Sequence, residues 1–167
     1  MTTKKLTTMA LLTAFALIIF IIELQIPPLV PIAGVKLGLA NIITLFAIFV
    51  LNRKETLCIL LVRIILGSVL SGRMVAMMYS LCGGLLCFAA ISVLKIFIRD
   101  EKHMWIYGVI GAIFHNIGQI IAALIITKTI YIVSYLPILI ISGIITGIFT
   151  GFATQFLLKQ FKKIQNK

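Results

Sequence analysis

The chain has 167 residues, 62% of them hydrophobic and 11% charged, with a net charge of +11 and a mean hydropathy of +1.21. A soluble domain holds roughly 45–50% apolar and about 25% charged residues, so a water-exposed globular fold is excluded. The basic residues lie in short clusters between apolar runs and do not interleave with aromatics on one face, which excludes nucleic acid as the reason for the charge.

A helix crosses the hydrocarbon core of a bilayer with about 20 mostly apolar residues, within a range of roughly 17–25. The sequence predicts six such spans, at 6–22, 37–51, 55–70, 74–98, 104–126 and 136–158, in one integral membrane domain covering 1–167. The fold class expected is therefore an all-α membrane bundle. The first span follows Lys4 and Lys5, as a secretory signal would. No small-residue cleavage site follows it and five more apolar runs do, so it reads as a retained helix.

Between the first two spans, Glu23 to Lys36 contains Pro27, Pro28 and Pro31, which forbid a regular helix. Ile26, Leu29, Val30 and Ile32 make the segment apolar, so a folded cap at the membrane surface is expected. The second span is short and begins near Asn41; the third carries Arg63; the fourth carries Tyr79. In the fifth, Gly108, Gly111, His115, Gly118 and Ala122 share one face. In the sixth, Gly143, Gly147 and Gly151 form a double small-xxx-small stripe, with Thr146, Thr150 and Thr154 beside it. Such stripes let helix backbones approach closely, and tight packing is the expected reading.

Orientation follows from lysine and arginine in the links. With the N-terminus inside, eleven basic residues fall on the inner side and three, Lys36, Arg73 and Lys128, on the outer side. Both ends are therefore expected in the cytoplasm.

Polar groups at membrane depth are costly and face a cavity or a partner. Those found are Asn41, Arg63, Tyr79, His115, Asn116 and Gln119, with Lys36 and Arg73 at the outer rim. No acid falls within a predicted span, so Arg63 has no evident ion-pair partner there. Two readings of Arg63 stand, a structural bond to backbone carbonyls and contact with an anionic group of a ligand or lipid. His115 and Gln119 are four residues apart and share a helix face. The outward bias of this set predicts a pocket open to the exterior beneath the Pro-rich cap. Cys58, Cys82 and Cys87 lie in apolar runs and form no CxxC pair, so buried structural thiols are expected; a metal site is not.

Four ordered stretches carry a resemblance: Gly34 to Asn41 (GVKLGLAN), Arg63 to Gly72 (RIILGSVLSG), Ser80 to Leu86 (SLCGGLL) and Gly111 to Gln119 (GAIFHNIGQ). Together they resemble the heptaprenyl diphosphate synthase component I family, also called the Gx transporter family, over nearly the whole chain. That family is similar to the substrate-binding S components of energy-coupling factor (ECF) vitamin transporters, six-helix proteins with both termini inside. The resemblance implies a multi-pass protein of the bacterial cell membrane. It would take up a small vitamin-, quinone- or isoprenoid-related molecule with an ECF coupling transmembrane subunit and ABC-type ATPases. S components dock on the coupling subunit through an AxxxA-type stripe on the first helix, and Ala10 and Ala14 match that spacing. The ligand contacts would come from Lys36, Asn41, Arg63, Arg73, Tyr79, His115, Asn116 and Gln119. No cofactor is expected.

One alternative is a non-catalytic membrane subunit associated with polyprenyl diphosphate or quinone biosynthesis, and another is a different small transporter or scaffold. Polyprenyl diphosphate synthases use paired Asp-rich motifs to hold magnesium, which wants hard oxygen ligands. This chain has four acids, Glu23, Glu55, Asp100 and Glu101, spread over separate links. They do not build that site, and no P-loop pattern is present, so the chain is not expected to be an enzyme by itself.

Overall fold

The computed structural model describes residues 3–27, 38–98 and 103–165, the last by its backbone only. The described residues form six helices: α1 (Thr3–Glu23), α2 (Asn41–Val50), α3 (Arg53–Ser71), α4 (Met74–Phe97), α5 (Met104–Thr127) and α6 (Leu136–Gln165). A 3₁₀ turn, Ile130–Tyr135, leads into α6. The cap expected over 23–36 falls mostly on 28–37, outside the described residues, as does Lys36.

Four of these elements are long and apolar enough to cross a membrane: α1, α4, α5 and the continuous stretch 130–164. Large apolar side chains stand exposed along them, among them Phe15 and Ile22 on α1, Phe97 on α4 and Phe149 and Phe156 on α6. That is the inverse of a soluble surface and fits lipid. The chain is a multi-pass membrane protein.

The remaining two helices differ from the expectation in instructive ways. α2 has ten residues, which is a rise of about 15 Å, half of the roughly 30 Å hydrocarbon thickness. The expected span 37–51 is thus a half-length helix with its first residue deep in the bundle. α3 has the length of a span, 19 residues, but carries Arg53, Lys54, Glu55 and Arg63. Its start is set locally. Asn52 accepts from the Glu55 N–H and the Glu55 side chain accepts from the Asn52 N–H, a reciprocal cap for two otherwise unpaired donors. Its end is Gly72 at φ 65°, the left-handed conformation that glycine adopts without strain.

Helix packing follows the small residues. A Cβ on Gly108 would lie 2.0 Å from the Gly147 carbonyl oxygen, and one on Gly151 2.5 Å from Trp105 Cα. The stripes of α5 and α6 are therefore in backbone contact, as the small-xxx-small reading expects. Lipid tails are as apolar as leucine, so close van der Waals packing of this kind is what holds spans together. On its other side α5 meets α4, where a Cβ on Gly118 would lie 2.6 Å from the Cys82 carbonyl oxygen. α1 packs on α3, with the Phe20 ring filling the notch at Gly67.

Two apolar clusters form the interior. One joins Met9, Leu12, Phe46, Ile59, Cys87, Tyr107 and Leu158. The other joins Tyr79, Ile120, Ala123, Ile132 and Leu139. Along α5, His115, Asn116 and Gln119 fall in sequence between Tyr107 of the first cluster and Ile120 of the second. The thiols divide: Cys87 is buried, Cys82 is half-buried and Cys58 is exposed. The expectation of three buried thiols is corrected at Cys58, which is exposed, and in part at Cys82.

Candidate functional site

The polar residues gather where α2 begins. Asn41 is its first residue, and Arg63 Nη2 on α3 donates to Asn41 Oδ1 at 3.2 Å. Arg63 is 4% exposed and Asn41 8%. Arg63 Nε and Asn41 Nδ2 are both buried donors without an acceptor among the described residues. An unmade hydrogen bond on a buried donor costs about 1–3 kcal/mol, more on a charged one.

From α5 come His115 and Gln119, one turn apart and both buried, with His115 Nε2 and Gln119 Nε2 3.1 Å from each other. Glycines on two other elements make room for the ring. A Cβ on Gly38 would lie 2.8 Å from His115 Cδ2 and 2.9 Å from Asn41 Nδ2. A Cβ on Gly83 of α4 would lie 2.8 Å from His115 Nδ1. Gly38 also has φ 79°, which side-chain-bearing residues rarely adopt. Four elements thus converge on one polar cluster.

The expectation that no acid lies within a span is corrected by Glu23. It is the last residue of α1, is buried, and accepts a hydrogen bond from the Gly38 N–H. Its carboxylate also acts electrostatically on Arg63. Glu23 follows the unbroken apolar run Ala16–Ile22 with no turn residue between. That continuity is the signal that places it on the helix and not in the link.

The other expected ligand residues are dispersed. Asn116 neighbours His115 in sequence but donates through Nδ2 to the Leu139 carbonyl of α6. Tyr79 sits in the apolar cluster with Ile120 and Leu139. Arg73 is exposed just before α4. Beside Asn41, helices α2, α4, α5 and α6 leave a cavity of about 10 Å3, lined in part by Gly38, Asn41, Cys87, Gly111 and Thr150. That is room for about one water molecule. Among the described residues no three His, Cys, Asp or Glu side chains come together as a metal site would require.

The model of one protein family, heptaprenyl diphosphate synthase component I, matches residues 12–157. The chain belongs to that family. The match takes in α2 to α5 whole and most of α1 and α6, so every residue of the Arg63 cluster is family sequence. No curated protein and no solved structure matches the chain.

Proposed function

We propose that this member of the component I family is the substrate-binding membrane subunit of an ECF-type uptake system, lodged in the bacterial cell membrane with six spans and both ends in the cytoplasm. The observation that carries the reading is the buried Arg63–Asn41 pair with unused donors on both side chains. A charge is costly at membrane depth and marks a ligand or ion path more often than a packing device. Transporters place their sites at short or interrupted spans, and the ten residues of α2 make half the length of a span.

Ligand would enter from outside over the start of α2 and be held by Arg63, Asn41, His115 and Gln119. Lys36, Arg73, Tyr79 and Asn116 belong to the wider set of expected contacts, of which Asn116 and Tyr79 serve packing between α5 and its neighbours. Ala10 and Ala14 are both exposed on α1, while Ala16 is buried against the bundle. The exposed pair would dock the coupling transmembrane subunit. ABC-type ATPases on the cytoplasmic side would supply the energy.

Affinity purification from mild detergent, with mass spectrometry of bound proteins and small molecules, tests this. Recovery of a coupling subunit and ATPases with a retained small molecule is the expected result. The family's description favours a second reading, a non-catalytic membrane subunit of a polyprenyl diphosphate synthase. Recovery of a soluble prenyl synthase and no ATPases would establish that one instead.

A further inference from the structure

We infer that the polar end of the ligand is a carbonyl-type oxygen carrying at most one negative charge, held by Arg63 and Asn41 at the start of α2. This rests on the uptake reading above and names the chemistry of its ligand. The unused groups there are donors: a guanidinium N–H and an amide NH2, both on side chains more than nine-tenths buried. They call for an acceptor, not for another donor. Asn41 already spends its own acceptor oxygen on Arg63. The atoms of the pair left wholly without a partner among the described residues are therefore both nitrogens, Arg63 Nε and Asn41 Nδ2.

Charge limits how anionic that acceptor is. Among the described residues the cluster holds one cation, Arg63, and one carboxylate, Glu23, which acts on it. The start of α2 adds the positive end of a helix dipole, roughly +0.5 of a charge. Its first N–H groups are engaged within the turn: Asn41 N donates to the Gly38 carbonyl at 3.0 Å and Ile42 N to the Leu39 carbonyl at 3.0 Å. Hence α2 contributes field and not open amides. Among the described residues the balance is slightly positive, by roughly half a charge. A neutral carbonyl or a single carboxylate fits it, whereas a phosphate ester brings about −1.5 to −2. Desolvating that surplus in a low-dielectric bundle is strongly unfavourable.

Space points the same way. The cavity beside Asn41 admits about one water; Leu45, Cys87, Ile91, Tyr107, Thr146 and Thr150 are among its lining residues, and Arg63 is not. One oxygen of a planar carbonyl group fits such a slot beside Asn41; a tetrahedral phosphate with its extra oxygens needs the helices to part.

The test uses the full chain in mild detergent and three probes sharing one alkyl tail: octanoate, octanamide and octyl phosphate. Thermal unfolding is followed against probe concentration for the wild type, Arg63→Gln and Asn41→Asp. Octanoate or octanamide is expected to raise the melting temperature of the wild type saturably, and which one does so separates a carboxylate from a neutral carbonyl. In both variants the affinity is expected to fall at least about tenfold, since a hydrogen bond to a charged group is lost. Octyl phosphate is expected to give no saturable rise. Asn41→Asp keeps an acceptor for Arg63 while removing the outward donor, so it carries the test if Arg63→Gln does not fold. A best response to octyl phosphate that vanishes in the variants overturns the assignment of class and leaves the uptake reading intact. Equal or absent responses in the wild type and the variants overturn the site. Absence of ATPases from the purified complex, with the headgroup preference preserved, sinks the uptake reading alone.

Discussion

Glu23 and Gly38 join the two ends of the segment that precedes α2. The Glu23 carboxylate ends α1, and the Gly38 N–H that donates to it opens the turn into Asn41. One side chain thus fastens the approach to the polar cluster and supplies the negative charge that acts on Arg63.

Replacing Glu23 separates these two roles. Glu23→Gln keeps an acceptor for Gly38 and removes the charge; Glu23→Ala removes both. Glu23→Gln takes from Arg63 the carboxylate that favours its charge, and in Glu23→Ala an orphaned N–H adds about 1–3 kcal/mol. Thermal unfolding in detergent is expected to rank wild type above Glu23→Gln and Glu23→Gln above Glu23→Ala. Equal stability of the two variants would show that the Gly38 bond contributes nothing.

The glycines of α6 carry a second prediction. A Cβ on Gly147 would lie 2.5 Å from Val109 Cα and 2.7 Å from the Gly108 carbonyl oxygen, and backbone cannot step aside as a side chain does. Gly147→Ala is expected to cost about 1–3 kcal/mol, as overpacking does. Gly72→Ala meets nothing within 4 Å but sits at φ 65°; its cost is backbone strain of about 1–2 kcal/mol. Gly147→Leu, which needs α5 and α6 to separate, distinguishes the two causes by abolishing monodisperse purification while Gly72→Leu does not.

Asn116 and Arg63 are expected to part company in function. Asn116→Ala loses the bond to the Leu139 carbonyl, and interhelical bonds of this type contribute about 0.6 kcal/mol on average, up to about 1.7 kcal/mol. A small loss of thermal stability with unchanged retention of the bound small molecule is the expected outcome. Loss of the small molecule would return Asn116 to the binding site.

The exposed face of α1 is testable without disturbing the bundle. Ala10→Leu with Ala14→Leu adds bulk on the outward side only. Expression and melting temperature are expected to match the wild type while recovery of the coupling subunit falls. Undiminished recovery would remove this stripe from the docking surface.

Much of the architecture is legible in residue order. Helix existence follows from hydropathy, because lipid accepts only segments that satisfy their own backbone. The start of α3 follows from Asn52 and Glu55, a cap that works over three residues. The α5–α6 seam follows from Gly143, Gly147 and Gly151, since a Cβ on each would meet α5 within 3 Å. These are local properties, and a chain read in order contains them.

What tertiary structure alone decided is which polar groups meet. His115 and Asn116 are adjacent, yet successive residues point about 100° apart on a helix, so one faces Asn41 and the other α6. Glu23 and Arg63 are remote in sequence and are brought together by the packing of α1 on α3. The half length of α2 depends on where the chain turns at Gly38, and that turn is held by Glu23 from another helix. Hydropathy sums along one dimension and is blind to helix rotation. Rotation is set by the close contacts of the glycines, and it converts scattered polar residues into one buried cluster with donors to spare.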